Sequence, residues 1–335
     1  MPDAKKSAKK SATKKKTAPA DLRKRLEQAM RQAFEMFAGE DLTKEDLDAL
    51  TTSLTGPSAQ EGMSEAQADA KDQAQQIAFD AMDAPSAAQA RKLAKRALKL
   101  DPDCVDALLV ITDLDAHTAR ERIEGSQRAV AAGERSLGEK FIRENKGHFW
   151  RLIETRPWMR ALEQLATDLV AAGLRADAIR VYEKMLELNP NDNQGARDPL
   201  LGLYLAVGDL AGAGKLLQSY DEDGSANFAW GRVLERFLAG DRTGADQALI
   251  DALAANRFVA LYMTERLPLP KGLPEMYEMG SAEEAVLCLI NLRAAWDAHR
   301  DAVFWLYDRC AEIGMGPVPK KSSLKKMPTA GRRIQ

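Results

Sequence analysis

Apolar positions recur three and four residues apart along most of this chain. Leu22, Leu26, Ala29, Met30, Ala33, Phe34 and Phe37 follow that spacing and predict an amphipathic helix over 21–37. Thr43 with Asp46 then has the form of a capping box for a short helix ending near Leu54. The turn formers of 51–62, TTSLTGPSAQEG, predict a linker after this small helical unit. Further on, Ser64 with Gln67 and Ser86 with Gln89 give two S-x-x-Q helix starts. Ala74, Ile77, Ala78 and Ala81, then Ala90, Ala94, Ala97 and Leu98, place small residues where two helices must approach closely, and Pro102 stops the second.

The clearest unit is Glu154 to Gly195, which predicts an antiparallel helix pair with a small-residue hinge, closed by Asn189-Pro190. Gly173 and Gly208 hold equivalent places 35 residues apart, and Gly240 follows after 32. A period in the thirties predicts stacked helical hairpins. The expected fold is therefore all-α, a right-handed α-α superhelix over 64–315, in which each hairpin is stabilised by its neighbours. The repeats are uneven: 103–133 lacks a closing proline, and the unit after Gly240 ends in Ala254-Ala255-Asn256. Arg266 to Gly280 breaks the rhythm with Pro268, Pro270 and Pro274. It predicts an extended loop anchored by Leu267, Leu269 and Tyr277, or else a flexible lid. Val286, Leu289, Ile290, Leu292, Trp296, Val303, Phe304 and Leu306 are dense enough to cap the stack.

Charge changes the picture at both ends. The formal net charge is −2, but residues 1–25 carry ten Lys or Arg against Asp3 and Asp21, and residues 317–335 carry six basic residues and no acid. The body between them is accordingly acidic. The opening MPDAKKSAKKSATKKKTAPA has nothing to bury, so 1–20 and the tail 317–335 are expected to be disordered. The first tail could bind phosphates by counterion release, or only solubilise the chain or fold back on its acidic body. It has no interleaved aromatic to stack on bases.

Candidate chemistry is sparse. His117, His148 and His299 stand apart without H-E-x-x-H spacing, and Cys104, Cys288 and Cys310 form no C-x-x-C pair, so no metal site or disulfide framework is expected. Gly208 to Lys215 looks like a phosphate loop, but its spacing is one residue too long and Leu216 stands where a Ser or Thr belongs. There is no G-x-S-x-G. A non-enzymatic protein with no cofactor is expected. Apolar runs such as 107–112 are too short to span a bilayer and the basic N-terminus has no apolar segment behind it, so no membrane association is expected and the cytoplasm is the default location.

Ala97 to Pro102, ALKLDP, resembles the close of a tetratricopeptide repeat, and Met185 to Pro190, MLELNP, with Ala178 and Tyr182 before it, repeats the pattern. The resemblance covers roughly 64–300 and implies a scaffold whose groove holds a protein or peptide. Glu144 to Trp150, Glu154 to Arg160 and Asn189 to Gly195, with Gly280 to Ala285 and Ala295-Trp296, further resemble the suppressor-of-tumorigenicity-7 family and its bacterial repeat-protein relatives. That resemblance implies an interaction scaffold with no assigned reaction. Eukaryotic members carry membrane segments, which this chain lacks.

The candidate partner-binding residues are Trp150, Arg156, Trp158, Arg160, Glu163, Asn193 and Arg197. Arg156 precedes Pro157, which disfavours helical backbone at Arg156 and suits a helix start at the proline. Two indoles and a guanidinium there read as a recognition patch, or as an internal ion pair to Glu154 or Glu144 with both rings in the core. If the first helix of each hairpin lines the groove, Arg160, Glu163, Thr167, Arg197, Asp198 and Gly202 face it. Asn189, Asn191, Asn193 and Gln194 either cap helix ends or reach a ligand backbone. Two functions follow: an adaptor for a protein segment, or a nucleic-acid-associated protein acting through the Lys-rich tail.

Overall fold

The chain divides into two units, residues 1–56 and 57–335. The computed structural model describes the backbone of residues 65–315 apart from 275, and side chains from residue 70 onward, all within the second unit. The helical unit expected over 21–55, the helix start at Ser64 and both basic tails lie outside the described residues. Every described element is helical. α1 (Glu65–Met82) and α2 (Ala87–Leu100) form the first hairpin, and α3 (Val105–Asp115) and α4 (Ala119–Leu137) the second. After the short α5 (Glu139–Glu144) and two 3₁₀ turns, α6 (Arg156–Ala171) and α7 (Arg175–Leu188) form the third. α8 (Arg197–Val207) with α9 (Leu210–Ser219), and α10 (Ala226–Leu238) with α11 (Arg242–Ala255), are the fourth and fifth. A single turn-rich helix α12 (Arg257–Met263) leads to the closing pair α13 (Ala282–Ala298) and α14 (Arg300–Glu312).

Successive hairpins pack as tetratricopeptide-like units: α3 lies against both helices of the first hairpin, α6 against both of the second, and α10 against both of the fourth. None of the described helices is long and apolar enough to cross a membrane. One contiguous core runs from Leu137 to Met315, filled by Trp158, Phe228, Trp230, Trp296 and Tyr307. The first hairpin is built differently, on a separate cluster of Ala74, Ala78, Ala81, Ala90, Ala94 and Ala97 that lets α1 and α2 approach closely.

The hinge glycines have one backbone role. Gly173, Gly208 and Gly240 have φ of 78°, 76° and 79°, the left-handed conformation. In each, the next residue's N–H bonds back to the helix, from Leu174 to Leu169, Asp209 to Tyr204 and Asp241 to Arg236, as in a Schellman stop. Asp209 and Asp241 then cap the following helices by accepting from the N–H of Gly212 and Gly244. The Gly208–Lys215 segment is accordingly a hairpin turn. Ser86 caps α2 through Gln89, as its S-x-x-Q spacing predicts. The helix boundaries at Leu100 and Leu188 fall just before Asp101-Pro102 and Asn189-Pro190.

Candidate functional site

The helix α13 crosses the first-helix face of the C-terminal hairpins. It packs across α8 and α10, the first helices of the fourth and fifth hairpins. Its N-terminal end is tied down by Glu284, buried, whose carboxylate accepts from the backbone N–H of Ala226 (3.0 Å) and Gly280 (2.7 Å) and from Asn256 Nδ2 (2.9 Å). At the other end His299 Nε2 lies 2.9 Å from the carbonyl of Leu205. Between them Trp296 meets Trp230 edge-on, ring centres 6.3 Å apart. At Gly202 the backbone carbonyl of Asn291 sits where a β-carbon would go. Gly202 therefore belongs to a helix-helix seam, and the first-helix face of α8 and α10 is filled by the chain itself.

None of the described helices lies across α1, α3 and α6 in that way. A polar ladder runs over these three helices. Arg160 on α6 grips the fully buried Asp106 on α3 through both nitrogens, Nε at 2.9 Å and Nη2 closer, and Gln75 on α1 donates to the same carboxylate at 2.6 Å. The guanidinium also stands over the Phe79 ring. Glu163, one turn along α6, is exposed but still surrounded by enough protein that desolvation raises its affinity for a proton, against the opposing pull of Gln194 and Arg160. Gln194 Nε2 donates to it at 2.7 Å, beside the exposed Asn193. Thr167 is exposed on the same face.

The start of α6 departs from its expected geometry. Arg156 is helical, with φ −59° and ψ −40°, although a proline follows it. The 3₁₀ turns Phe149–Arg151 and Ile153–Thr155 run straight into α6, and the Thr155 hydroxyl donates to the carbonyls of Phe149 and Leu152. This local hydrogen bonding holds a conformation that the pre-proline clash disfavours. Arg156 is 6% exposed, with its guanidinium 5.4 Å from the Trp150 ring centre and its Nε 3.3 Å from the Trp150 carbonyl. Burial, with Arg160 nearby, pushes its pKa down to about 10. Trp158 is 1% exposed, tilted against Phe149 at 5.5 Å, and its indole passes so close to Gly133 that a side chain there would collide with it. Trp150 is half-buried. The cluster thus points mostly inward, and only Trp150 offers part of its ring.

Arg197 opens α8 at a junction of three carboxylates. Its Nε donates to Asp223 at 2.9 Å, its Nη1 lies 3.5 Å from Asp192, and its guanidinium stacks over Tyr220 at 5.1 Å. Asp192 has a left-handed backbone, φ 51°, and accepts from the N–H of Ala196 and Arg197, which caps α8. Burial pushes the Asp192 pKa up to about 6, and that of Asp198 up to about 7. Asp198 accepts from Asn227 at 3.3 Å, linking α8 to α10. Periodicity did not single out Asp192, Asp106 or Glu284; each is an acidic residue at or near a helix start, a signal shared by many surface carboxylates.

A half-open recess lies beside the ladder. It measures about 170 Å³ and is bounded by Lys71 and Asp72 of α1, Cys104 before α3, Leu137 at the end of α4, and Glu154 and Trp158. Burial raises the proton affinity of Glu154, and Asp72 adds to the effect. Burial also pushes the Cys104 thiol up to about 12, so no thiolate is available there. Among the described residues, no three His, Cys, Asp or Glu side chains group to hold a metal ion.

The loop between α12 and α13 differs from the expected one. Leu267, Leu269 and Tyr277 are exposed, as are Leu273, Met276 and Met279. Arg266 anchors its start, donating to the carbonyl of Tyr307 at 3.2 Å and stacking over that ring. Pro268, Pro270 and Pro274 contribute no backbone N–H donor to this loop.

No family model matches the chain, and no curated protein matches it. Among solved structures the chain is similar to one titled "Functional Characterization of Pseudomonas Aeruginosa pilF", at 19% identity over 56% of this chain and 92% of that one, with a TM-score of 0.29. The fold assignment rests on the hairpins themselves: all-α, with tetratricopeptide-like packing.

Proposed function

We propose that this protein is a non-enzymatic scaffold that holds a segment of another protein along the open first-helix face of α1, α3 and α6. The observation that carries the reading is the contrast between two halves of one surface. α13 covers the first helices α8 and α10, while the equivalent face of the N-terminal hairpins presents Glu163, Thr167 and Asn193 to solvent beside the Arg160–Asp106 ladder. A face lined by exposed polar side chains over a rigid, hydrogen-bonded floor suits an extended peptide, whose backbone needs donors and acceptors. The contact set is Trp150, Arg160, Glu163 and Asn193, with Arg156, Trp158 and Arg197 holding it in place from beneath. The segments that resemble the suppressor-of-tumorigenicity-7 family, 144–150 and 154–160, build the edge of this surface, in keeping with an interaction scaffold.

Photo-crosslinking tests it. A crosslinking amino acid at Thr167 or Asn193 should capture a discrete protein from native lysate, and the same group at Ile250, exposed on α11, should not. Equal capture from all three positions, or none from the first two, overturns the reading.

A second reading, association with nucleic acid, is favoured by one helix. α2 has five basic residues and no acid, and Lys92, Lys95, Arg96 and Lys99 are exposed at spacings of three and four. With the Lys-rich residues 1–20 these could bind phosphates. Binding to duplex DNA or RNA should then fall steeply with added salt and weaken on replacing these four residues by glutamine. Binding that ignores salt removes the reading.

A further inference from the structure

We infer that the loop joining α12 to α13 is a second docking element, one that takes an acidic side chain of a partner protein, flanked by apolar ones, against Arg266. It is built on other elements than the α1–α3–α6 face and does not depend on the scaffold reading.

The guanidinium sets the charge of the guest. Arg266 Nη2 donates to the carbonyl of Tyr307 at 3.2 Å, and the group stacks over the Tyr307 ring, 4.7 Å from its centre. Its Nε and Nη1 are buried and have no acceptor among the described residues. Tyr307 is 1% exposed, and its hydroxyl is likewise buried without a partner there. The neighbouring Cys310 thiol supplies no negative charge, because burial pushes its pKa up to about 11 against the opposing pull of Arg266. A buried cation left without an anion costs far more than an unpaired neutral donor. A carboxylate fits best, since it accepts charge-assisted hydrogen bonds along an edge of a guanidinium, and the Tyr307 hydroxyl is one more donor in want of an acceptor.

A second observation sets the chemistry around that charge. Fourteen large apolar side chains are exposed among the described residues, and six of them fall between 267 and 279: Leu267, Leu269, Leu273, Met276, Tyr277 and Met279. Met276 is 84% exposed. Single exposed apolar residues are ordinary, but a concentration on one loop marks an interaction surface, and methionine adapts to partners of varied shape. Inorganic phosphate or a nucleic-acid backbone would answer Arg266 and leave these six side chains in water. The guest is therefore a protein segment.

The backbone leaves room for it. Residues 268–277 make no backbone–backbone hydrogen bond among the described residues, and the loop is tied at its ends, by the Leu267 N–H to Leu261 and the Gly280 N–H to Glu284. The loop can shift to admit a side chain without breaking such a bond, and its own peptide groups are free to pair with an extended guest.

The test titrates the whole protein, labelled with ¹⁵N-arginine, with the peptide acetyl-leucyl-glutamyl-leucyl amide. Its glutamine counterpart and inorganic phosphate are the controls. The glutamyl peptide should bind saturably with Kd below about 1 mM and shift one arginine Nε–H resonance, assigned to Arg266 by Arg266→Lys. Both controls should bind at least about tenfold more weakly. Tyr307→Phe, which removes only the hydroxyl, should weaken the peptide about three- to tenfold. Leu273→Ser with Met276→Ser, at two exposed positions, should weaken it at least about fivefold. Should Arg266→Lys unfold, calorimetric titration of the Leu273–Met276 double variant and of Tyr307→Phe against wild type carries the comparison. The absence of saturable binding, equal affinity for the glutamine peptide or for phosphate, or unchanged affinity in the double variant overturns the inference.

Discussion

Arg160 and Asp106 are joined at two points across the seam between the second and third hairpins, and the carboxylate they share is fully buried. An arginine read from sequence as a surface contact is thus also a strut. Among the described residues, its removal would leave a buried carboxylate with Gln75 as its remaining hydrogen-bond donor from a side chain. Arg160→Ala should cost about 3–5 kcal/mol, and Arg160→Met with Asp106→Leu should recover much of it. Urea denaturation of the three proteins checks this. It also means that loss of a partner in Arg160→Ala would not by itself locate the binding surface, which is why Thr167 and Asn193 are better probes.

Gly202 meets the Asn291 carbonyl in the α8–α13 seam. That oxygen belongs to the backbone, so the neighbour cannot swing aside as a side chain would. Gly202→Ala should destabilise by about 1–3 kcal/mol, the usual range for overpacking. Amide exchange should rise in α13 more than in α1 and α2, whose alanine core is separate.

Gly208→Ala should cost about 1–2 kcal/mol through its left-handed backbone alone, since no atom of the described residues lies within 4 Å of the added methyl. Gly208→Asn should cost less, because asparagine tolerates that region better. Thermal melts of the two variants rank them, and equal losses would mean that packing, not φ, governs the hinge.

Stability should depend on pH through Asp192 and Asp198. Both have folded pKa values raised above the unfolded range, to about 6 and about 7, mainly by burial, with Asp223 adding to the effect at Asp198 and Arg197 opposing it at both. The folded state therefore binds protons more tightly. The stabilisation they contribute is fully present below the unfolded pKa near 4 and is lost as pH rises through 6 and 7, with a slope of up to about 1.4 kcal/mol per pH unit per group. Asp198→Asn keeps an oxygen for Asn227 and removes the titration. It should be more stable than the wild type at pH 8 by about 1–2 kcal/mol and show a flatter profile from pH 5 to 8. A wild-type profile that rises over this window would contradict the assignment.

Local rules made much of the fold legible. Apolar spacing, S-x-x-Q at Ser86, and proline after Leu100 and Leu188 mark helix starts and stops because they act on a single turn of backbone. The common role of Gly173, Gly208 and Gly240 could be read from their period because a Schellman stop needs a residue without a β-carbon wherever it recurs. The same locality misled at Arg156, where Thr155 and two 3₁₀ turns outweigh the pre-proline preference, and at 266–280, where apolar residues read as anchors face solvent.

The sequence by itself determined that this protein is a series of helical hairpins, because periodicity and stop signals are written within a few residues of each other. Only the tertiary structure decided which part of their shared face is free. Trp158 and Arg156 turn inward, Asp106 sits beneath Arg160, and α13, which starts 75 residues after α8 ends, returns to cover Gly202. Those outcomes depend on which surfaces meet after the chain has stacked, and an amphipathic stripe specifies that it will be buried without specifying against what.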